Sequence, residues 1–599
     1  GLTIDIGFAN FLDGKGRRVG IVDVPGHERF IKNMVTGATG VDLVMLVVAA
    51  NDGVMPQTRE HLEILELLGV TRGMVVVTKI DIVDEELLEL AVEEIREALA
   101  GSSFAEMPFV MVSSHTGQGM EDLRAEIDRQ LEEIGPHSKR GAFRMPIQRV
   151  FSVKGHGAVL TGIPLSGCVE IGDEVETQPS NQRGKVRSVQ AYHGPRERAQ
   201  AGHSSALNIA SIERTFIERG HVVATPGYAK AVKSIVADVK VIEAASRPLK
   251  HRDEVRVLVD NSETLAIAIV LEESSHEIPI GGQGLVRFEL EEPVVPALGD
   301  RFLLRVPSPA ETLGGGRVVA LAYEELSRRD ADTIKMLKRK AQGLDNEAEL
   351  LELSVLEASV EGASATELAK ALWLLPQEIA PMIETAFEAG ILRKGVGERY
   401  VHAEAWKKLC DDLVGLLRSY HEANSKAGGI KEAEWLQKSG IEIRSFNMAV
   451  TSLVAERRVI KGGELFSHPD FVISLSPAQE KAVEIARMML RKGGFTPPSL
   501  EELQSASGLN GKEFRVVSEF LAANGEATLI AGTFMILRET LDEAIQRATK
   551  LIEEKGEMRA ADFKDALETT RKFAIPILEH LDGRGVFLNV GGVRKLRGR

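Results

Sequence analysis

The first residues in this sequence that could do chemistry lie in the stretch VDVPGHERF, residues 22–30, at the end of an apolar run. The carboxylate of Asp23 can hold Mg²⁺, directly or through a water molecule. Gly26 lacks a Cβ, so its backbone N–H can come close to a terminal phosphate and donate to it. His27 can position a water molecule for in-line attack on that phosphate. The stretch therefore suits the cleavage of a terminal phosphate by water.

Two later stretches carry groups that suit a guanine base. In TKID, Asp81 can accept hydrogen bonds from the ring N–H and the amino group of guanine, and the stem of Lys79 can pack on the ring face. In VSSHTGQG, the backbone around Ser113 and Ser114 can reach the guanine carbonyl. Any one of these stretches alone is more often an ordinary turn. Their order and their placement at strand ends favour a GTPase-derived domain.

The elements that must hold these stretches alternate along residues 1–138 between apolar strands and amphipathic helices. The strand-like runs are RRVGIVDVP, DLVMLVVAA, GMVVVTKID and PFVMVSS, and each ends in a polar loop. Between them lie helical segments such as TREHLEILELLG and EELLELAVEEIREALA. Continuous apolar strands separated by helices predict a parallel sheet covered on both faces, as in α/β nucleotide-binding folds.

Residues 142–323 have a different pattern, with short Val-rich runs separated by Gly and Pro. Turn signals recur about every 8–12 residues, which predicts β-barrels or sandwiches. The length fits two of them, at 142–226 and 227–323, which divide near ATPGYAKAV. We interpret Gly314–Gly316 as a point of close strand packing and not as a nucleotide site, because no strand–GxGxxG–helix context surrounds it.

From about residue 325 onward the sequence is helical, and one plan recurs. A helix, a short turn and a second helix are followed by a hairpin with glycine. The hairpins are FEAGILRKGVGERYV, VAERRVIKGGELFSH, LAANGEATLIAGTFMIL and LDGRGVFLNVGGVRKL. This plan is typical of a winged helix. We predict four such domains, at 324–404, 405–474, 475–540 and 541–599.

Composition excludes several classes of protein. Two cysteines in 599 residues exclude a disulfide framework and a cysteine-rich zinc site, and they indicate a reducing cytosol, so we expect a cytoplasmic protein. The apolar runs are too short for a membrane span. The net charge of −15 shows that the chain is not basic throughout. Residues 571–599 nevertheless carry seven Lys and Arg against two acidic residues, a local charge of +5.

The motifs resemble those of the translational GTPases. LTIDIGFA, DVPGHERFIKNMVTGATGVDLVMLVVAANDGVMPQTREHL and TKID together look like the selenocysteine-specific elongation factor family, and Thr78 stands where elongation factor Tu usually has Asn. The resemblance implies a multidomain fold with an α/β P-loop GTPase-like domain, two β-barrels and four winged helices. It implies a monomeric factor that uses GTP and Mg²⁺ to deliver selenocysteinyl-tRNA to a ribosome paused at UGA.

The resemblance also assigns the nucleotide site. It implies that Thr3, in the first switch segment, and Asp23 hold Mg²⁺ and that His27 is catalytic. The GTP-binding residues implied are Thr3, Asp23, Val24, Pro25, Gly26, His27, Thr78, Lys79, Ile80, Asp81, Ser113 and Ser114.

The family also has a phosphate-binding loop of the type GxxxxGK[ST], within the roughly 35–40 residues that should precede Thr3. The printed sequence contains no such run, and GFANFLDGKG has glycine and lysine at another spacing. We therefore expect that the chain starts after this loop and after the first strand, which should destabilise the sheet. We also expect the chain as printed to bind and hydrolyse GTP poorly.

FRMPIQRVFSVKGHGAVLTGIPLSGCVEIGDEV resembles the second domain of elongation factor Tu relatives, which holds the aminoacyl end of the tRNA. Elongation factor Tu typically has acidic residues where this chain has Gln148 and Arg149. A selenol is more acidic than a thiol, so selenocysteine would arrive as a selenolate. Arg149 could select it over neutral serine or cysteine, or could simply be a surface arginine. His156 and His203 are further candidates.

The end of the chain resembles the unit that binds the hairpin in the selenoprotein message. We expect Arg571 and Lys572 on a helix, and Arg584, Arg594 and Lys595 around the wing, to contact the RNA. We expect the protein to contact the RNA backbone and an unstacked loop base, because side chains cannot read the bases in the deep major groove of A-form RNA. A solvated basic tail is the alternative, and the first two repeats, without such an excess, are expected to be spacers.

Two other functions remain open from the sequence. One is a non-catalytic RNA- or tRNA-binding protein that has lost its phosphate-binding loop. The other is a winged-helix DNA regulator fused to a GTPase, although a regulator has no need of the two barrels.

Overall fold

The chain divides into two compact units in the computed structural model. The first comprises Gly1–Lys394 and Glu398–His402, and the second comprises Gly395–Gly397 and Ala403–Arg599. The structure describes residues 6–27, 30–38, 40–134, 139–153, 157–192, 194–272, 275–308, 311–323, 325–327, 330–424, 427–471 and 475–596. Thr3 and His156, both predicted site residues, lie outside these ranges.

The N-terminal region of the first unit is an α/β domain. Its elements are β1 (Gly7–Leu12), β2 (Arg18–Asp23), α1 (Ile31–Ala38), β3 (Val44–Ala49), α2 (Pro56–Leu67), β4 (Gly73–Thr78), α3 (Glu85–Leu99), β5 (Phe109–Met111) and α4 (Met120–Ile134). Strands β3, β4 and β5 form a parallel sheet in that order. The central strand β4 is buried from Gly73 to Val77, as its continuous apolar sequence predicts.

The sheet differs from the prediction at β2. This strand pairs with β1 in an antiparallel hairpin and not with the parallel sheet. Asp13 stabilises the turn, because its carboxylate accepts hydrogen bonds from the backbone N–H groups of Lys15 (3.0 Å) and Arg17 (2.6 Å). A short hairpin costs little loop entropy. Among the described strands β3 has a neighbour on one side only, and Val47 is 60% exposed.

Two β domains follow. The first contains β6 (Arg144–Pro146), β7 (Arg149–Val153), β8 (Gly157–Gly162), β9 (Cys168–Glu170), β10 (Glu174–Gln178), β11 (Gln182–Ala191), β12 (Gly194–Arg196), β13 (Arg198–Gln200), β14 (Ser205–Ile209) and β15 (Val222–Ala224). Its main sheet is antiparallel, in the order β6-β15-β10-β11-β14-β8-β7, with β12 beside β11. We call it barrel 1. Its core includes Phe143, Leu160, Leu207 and Val223.

The second β domain, barrel 2, is a closed barrel. Its strands are β16 (Val232–Val241), β17 (Leu249–Lys250), β18 (Glu254–Val259), β19 (Ser262–Val270), β20 (Glu277–Ile278), β21 (Gln283–Val294), β22 (Arg301–Val306) and β23 (Glu311–Leu321). The barrel closes in the order β16-β21-β19-β18-β22-β23. A Cβ on Gly316 would lie 1.9 Å from the Asp238 carbonyl oxygen. This confirms that Gly314–Gly316 serve close strand packing.

The remaining residues form successive runs of helices, each followed by an antiparallel hairpin. In the first unit the elements are α5 (Ala331–Gln342), α6 (Glu347–Glu357), β24 (Ala363–Ser364), α7 (Ala365–Ala371), α8 (Pro376–Glu388), β25 (Leu392–Lys394) and β26 (Arg399–His402). Within the described ranges, no helix combines the length and apolar character needed to cross a membrane.

The second unit repeats this order of elements. It contains α9 (Ala403–Ala423), β27 (Ile430–Lys431), α10 (Glu432–Ser439), α11 (Ile443–Ala455), β28 (Ile460–Gly462), β29 (Leu465–Ser467), α12 (Pro477–Gly493), α13 (Leu500–Ser507), α14 (Gly511–Ala523), β30 (Ala527–Ile530), β31 (Phe534–Leu537), α15 (Arg538–Lys555), β32 (Met558–Arg559), α16 (Ala560–Ala566), α17 (Arg571–Gly583), β33 (Phe587–Val590) and β34 (Val593–Leu596).

A buried arginine joins both barrels to the first helical run. Arg144 Nη1 donates to Asp300 Oδ1 (2.7 Å) and its Nη2 donates to Asp260 Oδ2 (2.6 Å), both in barrel 2. The guanidinium also lies 5.5 Å from the ring centroid of Trp373 in the helical run. The Trp373 carbonyl accepts a hydrogen bond from Ala142 N (2.8 Å). The first repeat, predicted to be a spacer, is therefore packed firmly against the barrels.

We expect Arg144→Ala to lower the free energy of unfolding by about 3–5 kcal/mol, because it leaves two carboxylates buried without their cation. Burial already raises the pKa of Asp260, and Arg144 is the group that opposes this shift. The measurement is urea unfolding of the full chain, followed by fluorescence. Arg140→Ala is the control, since that exposed arginine pairs with Glu347 at 2.9 Å and should contribute about 1 kcal/mol or less. Equal effects of the two changes would contradict the expectation.

Candidate nucleotide site and RNA surface

The loop after β2 carries the predicted phosphate-binding residues. Asp23 ends the strand and is exposed, as is Gly26. A Cβ on Gly26 would meet nothing nearer than His61 Cε1, at 4.0 Å, so this side of the glycine is open. The His27 carbonyl accepts a hydrogen bond from Phe30 N (2.8 Å), which begins the turn into α1. The loop therefore presents an exposed carboxylate and an open backbone, as a phosphate site requires.

Helix α1, which follows this loop, is held by barrel 1. Arg219 Nη1 donates to Asn33 Oδ1 (2.7 Å), and its Nη2 donates to Thr36 Oγ1 (2.7 Å). Gln148 Nε2 donates to the carbonyl of Thr36 (3.4 Å). Arg219 was not predicted from the sequence, since a single arginine in a loop between strands has no distinctive pattern. If α1 moves, either these hydrogen bonds break or barrel 1 moves with the helix.

The predicted guanine-binding residues meet at one edge of the parallel sheet. β4 ends at Thr78 and β5 at Met111, and the two strands are parallel neighbours, so the loops after them lie together. Lys79 has a left-handed backbone conformation (φ 59°), and its Nζ lies 3.2 Å from Asp52 Oδ2. Ser113, which follows β5, is fully buried. The two loops with the predicted guanine-binding residues therefore lie side by side, and guanine binding stays a prediction.

Asp81 is prepared to act as an acceptor. A hydrogen bond from the Ser113 side chain lowers the pKa of Asp81, and the nearby His115 lowers it further. Asp81 and Ser114 are both exposed at this edge. A carboxylate that is ionised and open to solvent can accept two N–H donors from one base.

The two halves of the site share one core although their strands lie in separate sheets. Ile31 and Met34 of α1 pack in the same apolar cluster as Val48 of β3 and Val77 of β4. Of the two residues predicted to hold Mg²⁺, Asp23 lies within the described ranges and is exposed. In the described part of the chain no three His, Cys, Asp or Glu side chains group closely enough to hold a metal ion alone. Mg²⁺ at a nucleotide typically uses one or two carboxylates together with phosphates, so the residues present fit it.

Arg149, predicted for the aminoacyl pocket, lies where barrel 1 meets the α/β domain. Its Nη2 donates to the Ile6 carbonyl (2.9 Å), and its guanidinium carbon lies 5.6 Å from the ring centroid of Phe8. His203 Nδ1 is 3.1 Å from the Tyr192 hydroxyl. Arg149 thus contacts the residues that follow the predicted first switch segment, which contains Thr3.

Four protein-family models match the chain in the order of its domains. The elongation factor Tu GTP-binding domain matches residues 1–133, and elongation factor Tu domain 2 matches 157–224. The β-barrel domain of the selenocysteine-specific elongation factor matches 236–325. The winged helix of elongation factor SelB matches 550–596. These matches confirm the predicted GTPase domain, the β-barrels and a C-terminal winged helix.

A relative that aligns along its length decides the family. The chain is 34% identical to the selenocysteine-specific elongation factor of Desulfomicrobium baculatum, over 100% of this chain and 94% of that protein. The chain belongs to the selenocysteine-specific elongation factors. The factor of Escherichia coli K12 is 30% identical over 100% of this chain and 93% of its own length. A crystal structure of the bacterial selenocysteine-specific elongation factor EF-Sec superposes with a TM-score of 0.62 at 25% identity, covering 100% of this chain and 94% of the other.

The last winged helix of this selenocysteine-specific elongation factor carries the predicted RNA-binding residues. Arg571 and Lys572 are exposed in the first turn of α17, which has no acidic residue there. Arg584, after α17, and Lys595, on β34, are also exposed. Arg594 differs from the others, because it is only 8% exposed. Four of the five cations are therefore placed at the surface.

We expect Ser113→Ala to raise the pKa of Asp81 towards its ordinary value of 3.8, because the hydroxyl that stabilises the carboxylate is removed. The pKa is measured from the carboxyl carbon resonance of selectively labelled aspartate in the full chain. Ser114→Ala is the control, since this exposed neighbour is not among the groups that lower the pKa of Asp81. A pKa that stays unchanged in Ser113→Ala would refute the link.

Proposed function

We propose that this protein is a GTP-dependent elongation factor that delivers selenocysteinyl-tRNA to the ribosome at UGA codons. In this proposal its C-terminal winged helices tether it to the hairpin in the selenoprotein mRNA. The observation that carries the proposal is the 34% identity to a selenocysteine-specific elongation factor, which extends over every domain of this chain. That extent does not favour either of the other functions considered, a non-catalytic binding protein or a DNA regulator.

In the proposed cycle, the nucleotide site acts through residues whose chemistry matches each part of GTP. Asp23 and Thr3 would hold Mg²⁺, which would neutralise phosphate charge, and the Gly26 N–H would donate to the terminal phosphate. His27 positions the attacking water, and Asp81 accepts from the guanine edge.

Barrel 1 is proposed to receive the aminoacyl end of the tRNA, with Arg149 selecting the selenolate. The position of this arginine supports the idea in two ways. It is partly exposed, so a ligand can reach it. It also contacts Ile6 and Phe8, so the environment of the guanidinium changes if the residues that follow the predicted first switch segment move. A cation stabilises a charged selenolate but gives no such advantage to a neutral hydroxyl.

We expect Arg149→Ala to reduce the preference for selenocysteinyl-tRNA over seryl-tRNA by about 10-fold or more, the effect of losing one charge-assisted hydrogen bond. The measurement is protection of the aminoacyl ester from hydrolysis by the full-length protein with GTP. Lys185→Ala, on the exposed face of β11 in the same barrel, is the control and should leave the preference unchanged. An unchanged preference in Arg149→Ala would exclude this role.

The helical runs are proposed to be winged helices at 324–404, 405–474, 475–540 and 541–599, and the last of them is proposed to bind the RNA hairpin. Arg571 and Lys572 stand at the N-terminus of α17, where the helix dipole already favours anions. Two cations there are unfavourable for the helix itself and favourable for a bound phosphate. Tethering to the message raises the local concentration of the factor at the ribosome.

We expect Arg571→Ala with Lys572→Ala to weaken hairpin binding and to make it less dependent on salt. Each lost phosphate contact should reduce the slope of log K against log salt by about 0.7–0.9. Binding is measured by fluorescence anisotropy, with a labelled selenoprotein-message hairpin and a DNA duplex of the same sequence. Lys550→Ala, an exposed lysine of α15, is the control. Unchanged affinity and slope in the double variant would refute the assignment.

A further inference from the structure

The hairpin of the last winged helix, β33 and β34, extends an unusually exposed surface into solvent. Leu588 is 45% exposed and Val590 is 61% exposed. The turn between the strands consists of Gly591 and Gly592, both with positive φ (61° and 87°). Lys595 is exposed on the second strand. A two-stranded hairpin alone is only marginally stable, so an exposed wing of this kind needs a fixed support.

A closed network of hydrogen bonds provides that support, and we call it the wing brace: Asp582, Asn589, Gly592 and Arg594. Arg594 donates from Nε (3.1 Å) and Nη2 (2.7 Å) to Asp582 Oδ2, near the end of α17. Asn589 Nδ2 donates to the same carboxylate oxygen (2.8 Å). Arg594 Nη1 donates to the Gly592 carbonyl (3.0 Å), and Gly592 N donates to Asn589 Oδ1 (3.1 Å). These hydrogen bonds connect the turn between β33 and β34 to helix α17.

Burial sets the role of Arg594 apart from that of the other cations. The side chain of Arg594 is 10% exposed and that of Asp582 is 17% exposed. Three of the arginine N–H groups are already used within the brace. For Arg594 to reach a phosphate it would have to leave Asp582 half-buried without its cation, which is costly. The guanidinium is therefore suited to hold protein to protein.

We propose that Asp582 and Asn589 are positioning residues for RNA recognition, which hold the wing through Arg594 at the angle that the hairpin requires. This inference rests on the proposed binding of the hairpin by the last winged helix. It assigns phosphate contacts to Arg571, Lys572 and Lys595. It removes Arg594 from the contact surface and makes it part of the support. A preorganised wing does not lose conformational entropy when it binds, so the brace increases affinity without touching RNA.

The brace and simple electrostatics make opposite predictions for Asp582. If charge alone mattered, removing a carboxylate beside an RNA surface would strengthen binding, since repulsion from phosphate is lost. If the carboxylate positions the wing, the same removal weakens binding. Asp582→Asn is nearly isosteric, so the sign of the change in affinity separates the two cases.

The test measures hairpin affinity of the full chain over a range of salt concentrations. We expect Asp582→Asn and Arg594→Ala each to weaken binding about tenfold, as for the loss of one charge-assisted hydrogen bond. The salt slope should stay at the wild-type value in both, because no phosphate contact is lost. The double variant should bind no more weakly than either single variant, because both changes break one unit.

Glu579→Gln is the matched control. It makes the same carboxylate-to-amide change at an exposed position of α17 outside the brace, and it should leave affinity equal or slightly higher. Asn589→Ala tests the brace without unpairing a buried charge, because it removes two exposed hydrogen bonds and leaves the Asp582–Arg594 pair in place. It should weaken binding about threefold with an unchanged melting temperature. Binding by Asp582→Asn as tight as wild type, or a shallower salt slope in Arg594→Ala, would overturn the proposal. Wild-type protein that does not prefer hairpin RNA over duplex DNA would instead overturn the proposed function.

Discussion

The arrangement of the first unit depends on one buried guanidinium. Arg144 comes from barrel 1, and the carboxylates that neutralise it, Asp260 and Asp300, come from barrel 2. A buried charge is tolerated only where its partners have the right geometry, so the ion cluster restricts the barrels to a narrow range of positions. The ring of Trp373 covers the same guanidinium and adds the first helical run to this arrangement.

The α/β domain is attached to this framework through polar contacts of the same kind. Arg219 and Gln148 of barrel 1 bind α1, the helix that follows the loop with Asp23, Gly26 and His27. Lys32 Nζ of the same helix lies 3.3 Å from Glu263 Oε2 of barrel 2. Helix α1 therefore makes polar contacts with both barrels.

The helical runs show how one plan serves different purposes. Helix α8 of the first run has Glu384 and Glu388 exposed, and its Glu378 accepts a hydrogen bond from Gly141 N (3.1 Å) beside barrel 1. Helix α17 occupies the equivalent place in the last run and begins with Arg571 and Lys572. The exposed first turn of α17 is basic, which favours an anion there, whereas the acidic residues of α8 disfavour one. The charge at these positions, and not the order of elements, distinguishes the two runs.

Much of the site could be predicted from sequence because the informative patterns are local. The apolar run ending at Thr78 correctly predicted a buried parallel strand, and the polar residues after it predicted a binding loop. Family motifs that extend along the chain identified the class of protein. Each of these features depends on the types of residues that are close together in the sequence. The spacing of apolar residues shows directly which positions of an element are buried.

The partners of the charged groups were decided only by tertiary structure. Asp260 and Asp300 lie 116 and 156 residues from Arg144, and nothing in the local pattern connects them. Arg594 had the same appearance in the sequence as Lys595, yet it is buried against Asp582 while its neighbour faces solvent. Sequence determined which groups are charged and which strands are apolar. Tertiary packing between residues far apart in the sequence determined which charged groups are paired inside the protein and which remain exposed for a ligand. The reason is that a charged group is buried only where another part of the chain supplies its counter-charge.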